Sequence, residues 1–144
     1  MNELLKAIMT RWRSDAGGRV REQCPGGLWQ TEAPAGILDS GKTCCIYTVL
    51  PGSIMDTMSS KIEQPVIDFA FYQSDEDQSE TGGTCVMARD AFVKVYDDVL
   101  LEMEDDDDGN SRRMIQAKRL YMGTLQKDPD EGFFCVVSYQ FMWG

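Results

Sequence analysis

The residues that could do chemistry in this chain are its thiols. They are Cys24, Cys44, Cys45, Cys85 and Cys135. Their odd number, the adjacent pair and the lack of a CxxC pattern predict neither a disulfide framework nor a zinc site. The sequence has no histidine, which is the usual base that activates a nucleophilic thiol. Because three of the cysteines lie in or beside apolar segments, we expect buried, reduced thiols.

The carboxylates are concentrated in two acidic segments. Residues 73–84 are predicted to form a mobile acidic loop, and residues 104–111 an acidic turn with four consecutive aspartates. The turn resembles a calcium-binding EF-hand loop in its carboxylates followed by Gly109, but Ile115 stands where the bidentate glutamate is needed. A solvated turn is therefore favoured over a metal site. Carboxylates in charge runs also lack the apolar surroundings that would separate their pKa values for acid–base catalysis.

The motifs of common enzyme classes are missing from the sequence. It contains no phosphate-binding glycine loop, no dinucleotide-binding glycine pattern and no nucleophile elbow. We therefore predict a protein that is not an enzyme and that uses no cofactor and no metal. No apolar run approaches the roughly 20 residues of a membrane span, so no membrane partner is expected.

The net charge of −10 is uneven along the chain. Residues 74–109 contribute −11 and residues 110–144 contribute +2. An acidic surface of this kind repels nucleic acids and anionic membranes. The remaining function classes are binding and assembly.

Two segments should form the centre of the fold. Residues 66–72 alternate as a strand, with Ile67, Phe69 and Phe71 on one wholly apolar face. After the acidic loop, apolar residues recur at steps of three and four, which predicts an amphipathic helix of about twenty residues that packs on this face. The helix stripe consists of Ala88, Phe92, Val95, Val99 and Met103.

The pattern of the first half of the chain predicts a helix and a strand before the central strand at residues 66–72. The helix begins at Asn2 and runs out at residues 17–18, and residues 19–24 read as an extended arm entering a turn. Residues 43–50 form a strand ended by a Pro-Gly turn at 51–52. Residues 53–61 either continue that strand or form a wide hairpin tip. The next strand begins at Val66, or its earlier part lies on a sheet edge because of Pro65.

The last third of the chain predicts a second strand pair. Residues 112–125 alternate imperfectly, residues 127–132 form a turn, and residues 133–143 form the clearest strand of the sequence. The order is therefore α-β-β-α-β-β in a single domain of residues 1–144. We predict an α+β fold, a four- to five-stranded antiparallel or mixed sheet with two helices packed on one face.

Several stretches together resemble a known family. They are RVREQCPGG at 19–27, CIYTVLPG at 45–52, VIDFAFYQSDED at 66–77 before the amphipathic helix, and CVVSYQFMWG at 135–144. Their layout resembles the small tail-completion, or tail-terminator, proteins of long-tailed bacteriophages and prophages. The long acidic loop and the insertion-like GILDSGKT at 36–43 depart from the usual pattern.

The resemblance implies a structural protein of the virion. Such proteins assemble in the host bacterial cytoplasm as a ring, typically of six copies, that caps the head-proximal end of the tail tube, ends tail polymerisation and helps to join tail to head. The implied partners are other copies of the chain, the tail tube protein and the head–tail connector. DNA would pass through a negative lumen without specific binding.

The ring hypothesis predicts contacts through sheet edges, loops and a basic segment that faces the acidic helix of a neighbour. The candidate residues come from the arm at 19–24, the hairpin tip at 53–60 and the basic strand, and they are Arg19, Arg21, Ile54, Met55, Met58, Arg112, Arg113, Lys118 and Arg119. Two other functions remain open. One is an adjoining head–tail connector or neck protein of the virion, and the other is a monomeric acidic inhibitor or immunity-type module that binds a cationic partner.

Overall fold

A computed structural model describes residues 2–34, 36–37, 42–56, 61–73, 84–105, 108–109, 111, 113–128 and 132–144. In these ranges the helices are α1 (Asn2–Arg13), α2 (Gly18–Gln23) and α3 (Thr84–Tyr96), with a 3-10 turn at Asp15–Gly17. The strands are β1 (Leu28–Gln30), β2 (Cys44–Asp56), β3 (Lys61–Gln73), β4 (Met114–Met122), β5 (Gln126–Asp128) and β6 (Gly132–Trp143).

All six described strands belong to one mixed sheet. Its order is β1-β2-β3-β6-β4, and β5 also pairs with β6. Only β1 and β2 run parallel, while the other pairs are antiparallel. The predicted α+β class with a mixed sheet is confirmed. The described part of the chain has more elements than predicted, because the short elements α2, β1 and β5 were not expected.

One face of the sheet forms the core, and the helices cover it. Ile67, Phe69 and Phe71 of β3 are fully buried on this face, as predicted from their alternation. They pair with buried residues of β6 on the same face. The buried residues of β6 are Cys135, Val137, Tyr139, Phe141 and Trp143. The other face carries half-buried residues such as Ala70 and Val136, so the sheet is packed on one side.

The ring of Phe92 in α3 lies at the centre of the core. It is 4.2 Å from the Tyr96 ring, 4.6 Å from the Phe69 ring and 5.4 Å from the Phe71 ring, measured between centroids. It also lies 6.4 Å from the Trp12 ring of α1. Aromatic pairs at these separations contribute attraction beyond their buried area. Phe92 therefore connects α1, α3 and the sheet.

Helix α3 is shorter than predicted. It ends at Tyr96, because Asp98 adopts the left-handed conformation (φ 55°) and stops the helical ladder. The Arg11 side chain donates two hydrogen bonds to the Val95 carbonyl, through Nε at 3.3 Å and Nη2 at 3.1 Å. A cation at this position is favoured by the helix dipole. Val99 and Met103 still pack against the core, which is why the apolar period continues past the end of the helix.

The extended arm predicted at residues 19–24 is wrong, and so is the single long first helix. Helix α1 ends at Arg13, and after the 3-10 turn residues 18–23 form α2. Arginine, glutamate and glutamine are good helix formers, and Val20 is fully buried in the core. The Arg21 guanidinium donates hydrogen bonds to the carbonyls of Trp12, in the last turn of α1, and of Ser14, which directly follows α1.

The predicted turn at Pro51 and Gly52 is also wrong, since β2 continues through them to Asp56. The register shifts between Leu50 and Ser53, so one extra residue of β2 is accommodated in a bulge there. Bulges tolerate proline because the local ladder is already interrupted. The alternative that the strand continues past 53 is thus confirmed. β3 begins at Lys61, earlier than the predicted start at Val66.

The strand predicted at residues 112–125 is confirmed as β4, which spans Met114–Met122 and contains two bulges. The register shifts between Met114 and Gln116 and again between Arg119 and Tyr121. Each bulge changes which face the following residues occupy. Met114 and Ala117 consequently both lie buried on the core face. The imperfect alternation of the sequence reflects these two bulges.

The predicted loop and turns lie partly within the described residues. Asp128 pairs with Gly132, which agrees with a turn at 127–132. The acidic loop predicted at 73–84 lies outside the described residues, except that Gln73 ends β3 and Thr84 begins α3. Within the acidic turn predicted at 104–111, Gly109 has a left-handed φ of 80°. None of the described helices is long and apolar enough to cross a membrane.

The central position of Phe92 generates a stability prediction. Phe92→Ala should lower the free energy of unfolding by about 3–5 kcal/mol, because it leaves a cavity among five aromatic rings. Met87→Ala on the same helix, where the side chain is 47% exposed, should change it by less than about 0.5 kcal/mol. Urea denaturation of both variants measures the difference. Equal effects of the two substitutions would contradict the central role of Phe92.

Candidate assembly surface

Strand β4 forms one edge of the sheet and carries an unusual concentration of exposed apolar side chains. Of the nine large hydrophobic residues that are exposed in the described ranges, five lie on β4 or directly after it, with exposed fractions between 37% and 54%. They are Ile115, Leu120, Tyr121, Met122 and Leu125. We call residues 113–125 the β4 edge. Apolar patches of this kind on a surface are typical of interaction sites.

The bulges of β4 place two of these residues at the surface. Ile115 and Leu120 are the extra residues at the two register shifts, so neither has a direct partner on β6. An exposed, apolar edge strand is a template for pairing with another chain, and proteins usually protect such edges with charge or cover. The β4 edge carries charge, but within the described residues no further strand pairs with it.

The charge of the β4 edge is positive. Arg113 and Lys118 are exposed, and Arg119 is partly exposed. The chain as a whole has a net charge of −10. A basic strip on an acidic molecule favours an acidic partner, and it steers such a partner to this edge.

A polar contact ties the middle of β4 to the end of α3. The Arg119 Nη1 atom lies 3.3 Å from Asp97 Oδ2, and the Tyr139 hydroxyl donates a 2.8 Å hydrogen bond to Asp97 Oδ1. Burial, together with the hydrogen bond to Asp97 and its negative charge, raises the pKa of Tyr139 well above its ordinary value. Asp97 therefore joins β4, β6 and α3 through one carboxylate.

A second contact holds the far end of β4. The Arg89 guanidinium of α3 donates a hydrogen bond to the Gly123 carbonyl, and the Gly123 amide donates to the Val136 carbonyl at 2.7 Å. Arg89 also forms an ion pair with Asp90 at 3.0 Å. With the Asp97 contact, this bond fixes β4 on the sheet at two points. The β4 edge is thus a preorganised surface, and little ordering entropy is lost when a partner binds it.

The sheet face opposite the helices is a second exposed surface. Ile46, Ala70 and Val136 follow one another across β2, β3 and β6 on this face, and each is half-buried. At the centre, the Ser138 hydroxyl donates a 2.5 Å hydrogen bond to Asp68 Oδ1. This satisfied polar pair interrupts the apolar rows, so the face is less continuous than the β4 edge.

The structure brings together three of the predicted interface residues, Arg113, Lys118 and Arg119, on the β4 edge. Arg19 is exposed on α2, away from this strand. Arg21 is half-buried, and its guanidinium binds the carbonyls at the end of α1, so it is a poor candidate for a partner contact.

The other predicted interface residues belong to the β2–β3 hairpin or lie outside the described ranges. Ile54 and Met55 are in β2, where their backbone pairs with Glu63 and Ile62 of β3. Met58 and Arg112 are outside the described residues.

Sequence reasoning missed the apolar part of the β4 edge. The predicted interface residues do not include Ile115, Leu120 or Tyr121. The available signal was the failure of regular alternation beside basic residues, because a strand with one buried face should show a clean period of two. The bulges themselves have no clear signature in this sequence.

The cysteines form no accessible site. All five are buried, as predicted, and none of them forms a disulfide bond. Burial raises the pKa of the Cys24 and Cys45 thiols well above the ordinary value, so these two stay protonated. The Cys135 thiol donates a 3.4 Å hydrogen bond to the Cys85 carbonyl. Neither of these last two side chains is exposed to solvent.

Comparisons with known proteins assign the chain to no family. No protein-family model matches the sequence, and a search of curated proteins found no match either. The resemblance to tail-completion proteins therefore stays a prediction from the sequence. The function has to follow from the fold, the charge distribution and the β4 edge.

The Tyr139–Asp97 contact predicts how stability depends on pH. Because the folded pKa of Tyr139 is raised, its contribution is fully present below about pH 10, where the unfolded tyrosine begins to ionise, and it is lost as the pH rises further. Tyr139→Phe should therefore flatten the fall in the free energy of unfolding above about pH 10.

The same variant should lower that free energy by about 1–2 kcal/mol at neutral pH. Urea denaturation over a pH series measures both effects. A variant with the same alkaline slope as the wild type would contradict this account of Tyr139.

Proposed function

We propose that this chain is a non-enzymatic structural protein of a long-tailed bacteriophage virion. It caps the head-proximal end of the tail tube as a ring of about six copies, ends tail polymerisation and helps to join the tail to the head. Its assembly takes place in the host bacterial cytoplasm. The sequence layout that resembles tail-completion proteins supports this proposal, and the fold is compatible with it in being a single α+β domain.

The observation that carries the proposal is the β4 edge. An isolated domain gains nothing from five exposed apolar side chains on the β4 edge, since an apolar edge without a pairing strand promotes aggregation. A subunit of an assembly requires such a surface, because association removes it from water. The basic residues Arg113 and Lys118 add an electrostatic preference for an acidic surface, and the excess negative charge of this chain is concentrated at residues 74–109.

The order of the strands is compatible with a ring. β4 lies at one end of the sheet order, and β1 with β2 lies at the other, so the two ends are different surfaces. Contact between different surfaces of identical subunits is heterologous, and it produces a closed ring when the rotation between neighbours divides a full turn. A ring leaves a central channel, through which DNA passes without specific binding if the lining is acidic.

The ring would contact two other virion proteins. The tail tube protein would lie on one side and the head–tail connector on the other, since a terminator joins these two structures. A neck protein of the same virion would use the same ring geometry with other neighbours. The β4 edge supports assembly in either position, so binding to purified tail tubes distinguishes the terminator from the neck protein.

One observation favours a different class of function. Five exposed carboxylates lie between the middle of α3 and the segment after it. They belong to Asp90, Asp98, Glu102, Glu104 and Asp105. A monomeric acidic inhibitor would use such a surface to capture a cationic protein, with strong dependence on salt. That function gives no role to the apolar residues of the β4 edge, and so we favour the ring.

Light scattering after size exclusion, over a series of protein and salt concentrations, tests the proposed function. The expected result is a species of about six times the 16.2 kDa chain mass that grows with protein concentration. A monomer at every concentration, also in the presence of purified tail tubes, would contradict the ring. If that monomer bound a cationic protein at low salt, the proposal of an acidic inhibitor would replace the proposal of a ring.

The charge of the β4 edge provides a mutational test. Arg113→Glu combined with Lys118→Glu should raise the protein concentration needed for half-maximal assembly by about tenfold or more, because it removes the attraction to an acidic neighbour. The matched control is Lys6→Glu combined with Lys94→Glu. It makes the same change in net charge at two exposed helix positions and should leave assembly close to that of the wild type. Equal effects of the two double variants would show that only net charge matters.

A further inference from the structure

We infer that the subunits join by antiparallel strand pairing between the β4 edge of one copy and the free edge of β2 in the next copy. This inference rests on the proposed ring and specifies its contact. The sheet would then continue from subunit to subunit around the ring. Three properties of the described backbone carry the inference: the free groups of β4, the free groups of β2 and the directions of the two strands.

The backbone of β4 has free groups at its outer side. Arg113 and Gly144 exchange two backbone hydrogen bonds, and the Gly123 amide bonds to Val136. Because bonded positions alternate along an antiparallel pair, the even-numbered residues of β6 bond to β4. The residues of β4 opposite odd-numbered positions, which include Ala117 and Arg119, therefore direct their N–H and C=O groups away from β6.

The backbone of β2 has a corresponding free side. The first part of this side is already bonded to the preceding segment of the chain. The Cys45 amide donates a hydrogen bond to the Gly27 carbonyl at 2.8 Å, and the Tyr47 carbonyl accepts one from the Thr31 amide at 2.9 Å. By the same alternation, Val49 directs its N–H and C=O groups to this side. Among the described residues no strand pairs with β2 there beyond Tyr47. The free edge of β2 thus runs from Thr48 to the end of the strand.

The strand directions fit an antiparallel contact. β2 and β3, β3 and β6, and β6 and β4 are all antiparallel pairs, so β4 runs opposite to β2. If the β2 strand of a second copy is added beside β4, with the same face towards the core side, the new pair is also antiparallel. The sheet continues with its regular alternation, and no strand has to reverse.

Charge and apolar surface indicate a second copy as the occupant of this edge. Residues 113–122 include three basic residues and no carboxylate, whereas residues 48–56 of β2 include Asp56 and no basic residue, so the contact places no like charges against each other. Leu50 on the β2 edge is 37% exposed, and it adds apolar surface to that of Tyr121 on the β4 edge. Pairing would bury both apolar surfaces and satisfy the free backbone groups.

The contact is tested by disulfide crosslinking of paired cysteine variants. Lys118 is exposed on the outer sheet face, and its cross-strand row continues through Gln140 and Val66 to Leu50. Three strand spacings, about 14 Å in total, separate Lys118 from Leu50 within one copy. This is too far for a disulfide, so a crosslink between β4 and β2 has to join two copies. The five native cysteines are buried and should not interfere.

Antiparallel register limits the partners of Leu50. The Tyr47 carbonyl is already bonded to Thr31, so the end of β4 has to lie no further along the neighbour than Val49. If Val49 lies opposite Met122, which also pairs with an odd-numbered position of β6, Tyr121 lies opposite Leu50. A register with Val49 opposite Arg119 would place Lys118 opposite Leu50, but it would direct Tyr121 towards the covered Tyr47.

We therefore combine Leu50→Cys with Tyr121→Cys or with Lys118→Cys in the full chain. Tyr121, like Lys118, is separated from β2 of its own copy by three strand spacings. Mild oxidation of the assembled protein should crosslink the Tyr121 combination about tenfold faster than the Lys118 combination, because only that register brings the two thiols into contact.

The control combines Lys118→Cys with Lys6→Cys, which is exposed on α1 on the helix-covered side of the sheet. It should crosslink no faster than random collision. A normal assembled mass with slow crosslinking of both edge combinations would overturn the edge contact but leave the ring intact. A monomer that neither assembles nor crosslinks would overturn the ring and the edge contact together. Circular dichroism of each variant ensures that the fold is retained.

Discussion

The rest of the structure depends on the contact between the Phe92 ring of α3 and the Phe69 ring of β3, whose centroids are 4.6 Å apart. This contact fixes which sheet face becomes the core, because Phe69 shares its face with the buried residues of β6. Once the helices occupy that face, the described chain has no further element to cover the opposite face or the β4 edge. Exposure of the assembly surface is therefore a consequence of how the core is packed.

Much of the fold could be predicted because its central elements are strongly periodic. The alternation of β3 and β6 predicted their buried faces, and the spacing around Phe92 predicted the helix that covers them. The errors have local causes that periodicity does not report. Asp98 ends α3 through a left-handed backbone, Pro51 lies in a bulge within a continuous strand, and residues 18–23 are helical because Val20 packs into the core. In each case a tertiary contact or a single dihedral angle overrides the local pattern.

The candidate surface could be predicted only through its charge. The sequence shows Lys118 and Arg119 as basic residues in an acidic chain, but it does not show that their apolar neighbours are exposed. The register of β4 depends on its pairing with β6, which brings together residues that are distant in sequence. Arg21 shows the opposite error, since its charge suggested a partner while its guanidinium binds the end of α1. Charge alone does not distinguish an arginine that contacts a partner from one that ends a helix.

The most direct test of the central claim, that this chain assembles into a ring, is electron microscopy of the concentrated wild-type protein at low salt. Our account predicts closed rings of about six subunits with a central channel, in which neighbouring sheets are continuous through β4 and β2. Isolated particles of the 16.2 kDa chain, or open filaments without closure, would contradict it. The image of the ring would also identify which subunit edges meet, so it tests the assembly and its contact in one measurement.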